Sequence, residues 1–217
     1  MSISVIVLAA GKGTRMKSEL PKVLHHVLGK TLLSHVFDAF SSVDNIFVVV
    51  GHQSDLVINS IPSSVKNVIQ KDQLGTGHAV SIAINSEDFN EIKSEFTLVV
   101  PGDVPAINED DIDSLIDGVK KKASPVGFLT AFVDNPFGYG RVVKNNQEIK
   151  IVEEKDCSEE EKAINEINSG VYCFRTEFLV ENIDNLNTEN AQGEFYLTDL
   201  IGIANNQKQD IVIVQVD

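Results

Sequence analysis

Residues 4–16 read S-V-I-V-L-A-A-G-K-G-T-R-M. Residues 4–9 form a short run that is apolar on both faces, which is typical of a strand buried inside a parallel sheet. Small and basic residues follow it directly, at 10–16. Ligands of open parallel sheets bind outside the carboxyl ends of the strands. The order of strand and loop therefore predicts that residues 10–16 form a ligand-binding loop.

The composition of this loop favours a phosphate ligand. Gly11 and Gly13 let backbone N–H groups approach phosphate oxygens closely. Arg15 adds a guanidinium group that can donate bidentate hydrogen bonds to phosphate, and Lys22 adds a compact positive charge. Two familiar phosphate motifs do not fit, because a dinucleotide fingerprint needs a glycine where Met16 stands and the P-loop spacing is absent.

The remaining pattern predicts an α/β fold, Rossmann-like, with a mostly parallel sheet flanked by helices. We interpret residues 1–217 as a single domain whose N-terminal half holds a nucleotide and whose C-terminal half, which includes a smaller β region, closes over the other substrate. The predicted strands lie at 4–9, 46–50, 96–100, 126–133, 170–174 and 211–216, with a hairpin over 141–152 that turns at Asn145-Asn146. The predicted helices lie at 32–40, from 76 onward, and at 107–119, 158–164 and 197–204.

Charge and composition exclude several classes of protein. The formal charge of -14 argues against nucleic-acid binding, which depends on basic surfaces. Hydrophobic residues make up 42% of the chain, and no apolar run approaches the roughly 20 residues that cross a bilayer. We therefore expect a cytoplasmic protein with no membrane partner. Cys157 and Cys173 are too few for a disulfide framework or a zinc cluster, so we expect inert thiols.

The loop with its arginine, followed by Leu20-Pro21-Lys22, resembles the signature of the sugar-phosphate nucleotidyltransferases. Residues 68–70 and the run Q-L-G-T-G-H-A at 73–79 resemble the uracil-contacting segment of N-acetylglucosamine-1-phosphate uridyltransferases. An amide such as Gln70, or a backbone pair at Gly75-Thr76, suits the mixed donor and acceptor edge of uracil. The resemblance implies nucleotide contacts at Leu8, Ala9, Ala10, Gly11, Gly13, Gln70, Gly75 and Thr76.

The run G-D-V-P at 102–105 follows a predicted buried strand. By resemblance Asp103 holds Mg²⁺, although an acid at this point is also typical of a turn or a helix cap. The catalytic residues implied by the resemblance are Arg15, Lys22 and Asp103. The sugar contacts implied in the same way are Gly102, Gly140, Glu153 and Asn168, because amide and carboxylate groups recognise sugar hydroxyls and an acetamido group.

The reaction implied is uridylyl transfer from UTP to N-acetylglucosamine 1-phosphate, with Mg²⁺ as cofactor. The attacking phosphate oxygen is already ionised, so no general base is required. His25, His26, His35, His52 and His78 show no metal-ligand spacing, and we assign none of them to catalysis.

The resemblance also has limits, which leave alternatives open. The sequence ends at Val216-Asp217, before an asparagine that supplies a second Mg²⁺ ligand in the family. One alternative is therefore a weakly catalytic nucleotide-sugar-binding fragment, and another is a different sugar-phosphate nucleotidyltransferase. No hexapeptide periodicity is present, so we expect no β-helix, no acetyltransferase activity and no trimer. The chain is expected to be a monomer or a weak oligomer.

Overall fold

The computed structural model describes residues 2–13, 16–145 and 148–216. Its strands are β1 Ile3–Ala9, β2 His26–Val27, β3 Lys30–Thr31, β4 Asn45–Val50, β5 Lys66–Ile69, β6 Phe96–Pro101, β7 Val126–Phe132, β8 Arg141–Asn145, β9 Glu148–Val152, β10 Glu166–Arg175 and β11 Ile211–Val216. Its α-helices are α1 Leu32–Asp38, α2 Ser54–Ile58, α3 Thr76–Ile84, α4 Glu87–Asn90, α5 Glu109–Lys121, α6 Glu159–Lys162, α7 Thr176–Asn182 and α8 Asp199–Asn206. Two short 3₁₀ helices lie at Lys22–Leu24 and Ile183–Asn185.

The main sheet has the strand order β11-β7-β10-β6-β1-β4-β5. Strands β6, β1, β4 and β5 are parallel, and β11 is parallel to β7. Strand β10 lies between these two groups and is antiparallel to both β6 and β7. The β8–β9 hairpin joins the sheet through β10, and β2 pairs with β3 in a separate ribbon. The predicted α/β class with a mostly parallel sheet is confirmed.

Both faces of the sheet are buried under helices. Val5 and Val7 point into one cluster, with side chains of α1, α2 and α5. Ile6 points into the other cluster, with side chains of α3, α7 and α8. Because successive strand residues face opposite sides, a strand covered on both sides must be apolar throughout. This explains the uninterrupted apolar sequence of β1.

Helix ends depend on side-chain caps that a periodic pattern does not locate. Helix α5 begins at Glu109, two residues after the predicted start, because the Asn108 side chain accepts a hydrogen bond from the Asp111 N–H at 2.9 Å. Helix α8 also begins two residues late. The two residues before it lie in turns, closed by backbone hydrogen bonds from Asp199 to Tyr196 and from Leu200 to Leu197, and the Leu197 N–H donates to Thr76 Oγ1 at 3.1 Å.

Strand β10 is longer than predicted because it continues through a bulge. The register with β7 shifts between Asn168 and Tyr172, and Gly170 has a φ of +81° that glycine adopts without strain. The predicted hairpin forms between β8 and β9, although its turn residue Asn146 lies outside the described residues. Among helices in the described ranges, none combines the length and apolar composition that a bilayer crossing requires.

Candidate functional site

The carboxyl ends of β1, β4, β5 and β6 bring several predicted site residues to one edge of the sheet. The Gly102 N–H donates to the carbonyl oxygen of Leu8 at 2.9 Å, which joins the ends of β6 and β1. The Gln70 N–H donates to the carbonyl oxygen of Val50 at 2.7 Å, which joins the ends of β5 and β4. This edge is where ligands of parallel sheets bind.

Lys22 and Asp103 form an ion pair at this edge. Lys22 belongs to the short 3₁₀ helix that follows the loop, and Asp103 follows β6. Their side chains are 44% and 21% exposed, so both remain accessible to a ligand. The structure thus joins two of the three predicted catalytic residues, whereas the third, Arg15, lies outside the described residues.

Close packing fixes Gly13 against Lys22. Gly13 has a φ of +57°, and a Cβ atom there would lie 2.9 Å from Lys22 Cβ. A side chain at this position would therefore be strained and would push Lys22 away. The glycine explains how the loop can lie directly over the lysine.

Gln70 and Gly75 come together at the end of β5. The Nε2 atom of Gln70 donates to the Gly75 carbonyl oxygen at 3.2 Å, and Gln70 is 3% exposed. Gly75 lies against Phe195, since a Cβ atom there would be 2.5 Å from the Phe195 carbonyl oxygen. The side chain of the adjacent Thr76 is exposed and accepts the hydrogen bond from Leu197.

A second group contains the predicted sugar contacts Gly140, Glu153 and Asn168. The Asn168 N–H donates to the Gly140 carbonyl oxygen at 2.9 Å. A Cβ atom on Gly140 would lie 3.5 Å from Glu153 Oε2 and 3.6 Å from Asn168 Cβ. The Asn168 side chain in turn donates to the buried Tyr172 hydroxyl at 2.6 Å, which fixes the amide in one orientation.

An ion pair between a buried arginine and a partly exposed glutamate supports the loop that carries Gly140. Arg141 is 1% exposed, and its Nη2 atom donates to Glu154 Oε2 at 2.7 Å. Its Nη1 atom donates to the Tyr139 carbonyl oxygen, and the Gly138 N–H donates to Glu154 Oε2 at 3.0 Å. Glu154 therefore holds the loop at Gly138, and Arg141 holds it at Tyr139. Sequence reasoning missed this pair, whose only signal was a charged residue next to Gly140.

Residues 190–198, which we call the bridging segment, connect the two groups. Phe195 exchanges backbone hydrogen bonds with Leu74 and Gly77, both at 2.8 Å, beside the Gln70 end of the site. Farther along the segment, the Thr198 hydroxyl reaches Glu153 Oε1 at 3.4 Å. The groups also approach each other at the bulge, where a Cβ atom on Gly170 would lie 2.9 Å from Pro101. The two halves thus form one continuous site region.

The pKa values of two neighbouring carboxyls in this region, Glu153 and Glu154, are shifted in opposite directions. Burial raises the pKa of Glu153, against the hydrogen bond from Thr198, and the nearby carboxylates raise it further. The hydrogen bond from the Gly138 N–H, followed by that from Arg141, lowers the pKa of Glu154. Burial penalises a charge, whereas hydrogen bonds to the charged form favour it. Glu153 is therefore held at an energetic cost, as is common in functional sites.

This cost leads to a prediction for Glu153→Gln. A carboxyl whose pKa is raised on folding destabilises the folded state at pH values above that pKa, and the penalty disappears as the pH falls below its ordinary 4.5. We expect Glu153→Gln to raise the free energy of unfolding at pH 7 and to leave it nearly unchanged at pH 4. Urea unfolding at both pH values measures this difference. Glu148→Gln, at an exposed site, is the control, and an equal gain at both pH values would contradict the assignment.

The metal-binding potential of the site rests on Asp103. Within residues 2–13, 16–145 and 148–216, no group of three or more histidine, cysteine or acidic side chains could hold a metal ion. Mg²⁺ needs no such group, because it keeps several waters and commonly binds through one or two carboxylates and substrate phosphates. The partly exposed carboxylate of Asp103 fits this mode of binding.

A domain family described as the MobA-like NTP transferase domain matches residues 5–144. The match includes the loop, Lys22, Gln70 and Asp103. This chain belongs to that family. The MobA-like match ends before Glu153 and Asn168, so the family assignment rests on the part of the chain from β1 to β8.

Curated relatives extend the similarity into the second half. The chain is 45% identical over 213 residues to the "Bifunctional protein GlmU" of Fervidobacterium nodosum, covering 98% of this chain and 46% of that protein. It is 48% identical over 207 residues to the protein of the same name from Streptococcus sanguinis, covering 94% of this chain and 44% of that one. The chain spans less than half the length of these relatives.

A solved structure shares the fold. A crystal structure from Bacillus anthracis, provisionally described as a glucose-1-phosphate thymidylyltransferase in complex with sucrose, superposes with a TM-score of 0.78. The superposition covers 100% of this chain and 87% of the other, at 18% sequence identity. At this identity the likeness concerns the fold alone.

Proposed function

We propose that this chain transfers the uridylyl group of UTP to N-acetylglucosamine 1-phosphate, giving UDP-N-acetylglucosamine and pyrophosphate. The observation that carries the proposal is the Lys22–Asp103 pair at a sheet edge that also approaches Gly140, Glu153 and Asn168. A lysine beside a carboxylate that can hold a metal ion, next to a group of hydrogen-bonding residues, suits a reaction between a nucleotide and a sugar phosphate. The 45% and 48% identity to two proteins named GlmU supports the same reading.

The chemistry needs positioning and charge neutralisation more than proton transfer. An ionised oxygen of the sugar phosphate attacks the α-phosphorus of UTP in line. The new bond joins that oxygen to the α-phosphorus, and the bond from the α-phosphorus to the bridging oxygen breaks. Pyrophosphate leaves with the electron pair of the broken bond. Since the nucleophile is already charged, this mechanism assigns no general base to the protein.

Cationic and N–H groups of the chain bring these anions together. We assign Lys22 to the α-phosphate, because its side chain lies at the strand ends and is 44% exposed. The backbone N–H groups of the loop containing Ala10, Gly11 and Gly13 are assigned to the β- and γ-phosphates. Arg15 is proposed to assist there on sequence grounds.

Asp103 is proposed to hold Mg²⁺ together with the phosphates of UTP and water. When bound, the ion neutralises phosphate charge and orients the reacting groups. Asp103 is paired with Lys22 in the ligand-free chain, and its side chain is 21% exposed, so its carboxylate is accessible to a cation. The same pair keeps Lys22 within reach of whatever phosphate Asp103 helps to bind.

Recognition of the two substrates is divided between the two groups of residues. Gln70, Gly75 and Thr76 are proposed to contact uracil, with Leu8 and Ala9 lining the adjacent strand end. Gly140, Glu153 and Asn168 are proposed to bind the amino sugar, together with the Gly102 backbone at the junction of the groups. The fixed amide of Asn168 and the carboxylate of Glu153 supply the hydrogen bonds that sugar hydroxyls require.

Pyrophosphate release tests the proposal. We expect Mg²⁺-dependent release from UTP with N-acetylglucosamine 1-phosphate, and much slower release when glucose 1-phosphate or CTP replaces one substrate. Equal release with every sugar phosphate would favour another sugar-phosphate nucleotidyltransferase. No release, with UDP-N-acetylglucosamine still bound in calorimetry, would contradict the proposal and favour a binding fragment.

A further inference from the structure

His78 lies in the first turn of α3, beside the side chain of Gln70. The Nε2 atom of Gln70 is 3.1 Å from His78 Nδ1 and 3.2 Å from the carbonyl oxygen of Gly75. Gln70 is 3% exposed, so these contacts are shielded from bulk water. Two neighbours therefore converge on a single amide nitrogen.

The chemistry of these neighbours fixes the direction of both hydrogen bonds. The Gly75 carbonyl oxygen can only accept, so the amide nitrogen of Gln70 must face it. The second proton of that nitrogen then points to His78 Nδ1, which must carry a lone pair. In this arrangement the ring proton of His78 therefore lies on Nε2.

This arrangement leaves Oε1 as the atom that Gln70 can offer to a ligand. Across residues 2–13, 16–145 and 148–216, Oε1 of Gln70 accepts no hydrogen bond, whereas Nε2 donates two. Uracil has a donor at N3–H, but cytosine has an acceptor at N3. If Oε1 of Gln70 is held toward the base, it accepts a hydrogen bond from N3–H of uracil, whereas it faces the lone pair on N3 of cytosine.

We propose that His78 is a positioning residue that locks the Gln70 amide with its oxygen toward the nucleobase and so selects uracil over cytosine. The inference rests on the proposed function and adds to it the cause of base selection. His78 touches neither the base nor the reacting phosphates in this role. It acts through Gln70, as the second of two acceptors that hold the amide nitrogen.

The surroundings of His78 hold its ring in place. Its ring centroid is 6.3 Å from that of Phe195, and both residues line a cavity of about 210 Å³. The bridging segment is thus packed against the ring that orients Gln70. Because the cavity provides space, a side chain of similar size can replace His78 without overpacking.

The test compares the kcat/KM values for UTP and CTP in matched variants. His78→Phe keeps a ring of similar size but removes the acceptor. We expect the preference for UTP to shrink by about tenfold, the effect of one hydrogen bond left unmade at a buried group. His78→Gln restores a carbonyl acceptor and should recover most of the preference. Ser81→Ala, one turn along α3 in the same cavity, is the control and should keep the wild-type preference.

The outcomes separate this inference from the proposed function. Equal losses for UTP and CTP in His78→Phe would indicate a merely structural role and overturn the inference. If the wild-type protein turns over neither nucleotide, the proposed function fails. The preference for UTP over CTP is then measured as the ratio of their binding affinities by calorimetry. A wild-type protein that binds both equally, or binds neither, overturns the inference as well.

A second measurement does not depend on turnover. Long-range ¹⁵N–¹H spectra report which ring nitrogen of His78 carries the proton. We expect the proton on Nε2 at pH 7.5, with Nδ1 unprotonated and the two Gln70 amide protons in distinct hydrogen-bonded environments. A proton on Nδ1 would overturn the inference, because that nitrogen could not then accept from Gln70.

Discussion

Lys22→Ala is expected to lower kcat roughly 100-fold or more, the size typical of removing one preorganised charge-stabilising group. The proposed reaction brings two anions together, and Lys22 lies at the strand ends where they meet. Steady-state pyrophosphate release at saturating substrates measures the change. Near-normal turnover in the variant would remove Lys22 from the mechanism.

Stability measurements separate this catalytic effect from damage to the fold. The Lys22–Asp103 pair is partly exposed, and exposed pairs contribute only about 0–1 kcal/mol to stability. Lys22→Ala should therefore unfold in urea almost as the wild type does. Lys30→Ala is the matched control, since Lys30 also pairs with an acid, Asp38, but lies outside the proposed site. It should retain wild-type turnover.

Glu154→Leu is expected to reduce the free energy of unfolding by about 3 kcal/mol, the lower part of the range for a buried charge left uncompensated. Arg141 is 1% exposed and depends on Glu154 for charge compensation. Within the described residues its Nε atom has no hydrogen-bond partner, so little else offsets the charge. Urea unfolding at pH 7 measures the loss. Hydrogen bonds lower the pKa of Glu154, so its stabilising contribution, and with it the loss, should diminish as the pH falls below the ordinary 4.5.

A double variant tests the origin of this loss. Arg141→Met with Glu154→Leu removes the charge together with its partner, so it should be more stable than Glu154→Leu alone. The same loop carries Gly140, and we expect Glu154→Leu to raise the KM for N-acetylglucosamine 1-phosphate while the KM for UTP changes little. Glu159→Ala, at an exposed pair, is the control. A double variant less stable than Glu154→Leu would contradict the uncompensated-charge explanation.

The parallel half of the fold was predictable because its signals are local. Strand β1 is buried on both faces, so its sequence is apolar throughout, and the loop that follows is rich in small and basic residues. Strand β5 gave a weaker signal. It lies at the edge of the sheet, and its residues alternate between partial burial and exposure.

Contacts between residues far apart in the chain could not be predicted in this way. The pairing of Arg141 with Glu154 and the packing of Phe195 on Gly75 depend on tertiary geometry. The periodicity at 197–204 suggested a helix from Leu197, but the helix begins at Asp199, and the hydrogen bond from Leu197 to the distant Thr76 left no trace in the local pattern. The orienting contact of His78 with Gln70 was missed for a related reason, since metal-ligand spacing was the criterion applied to the histidines.

The position of β10 between two parallel groups imposes an order on assembly during synthesis. All pairings among β1, β4, β5 and β6 involve residues up to Pro101 and can form before β10 leaves the ribosome. Strand β10 then joins β6 to β7 across a long sequence separation, and such pairings form slowly. Nascent chains that pause before residue 166 would therefore expose the edge of β6, which is vulnerable to pairing with other chains. Asn168 enters the sheet on the same strand, β10, that closes this edge.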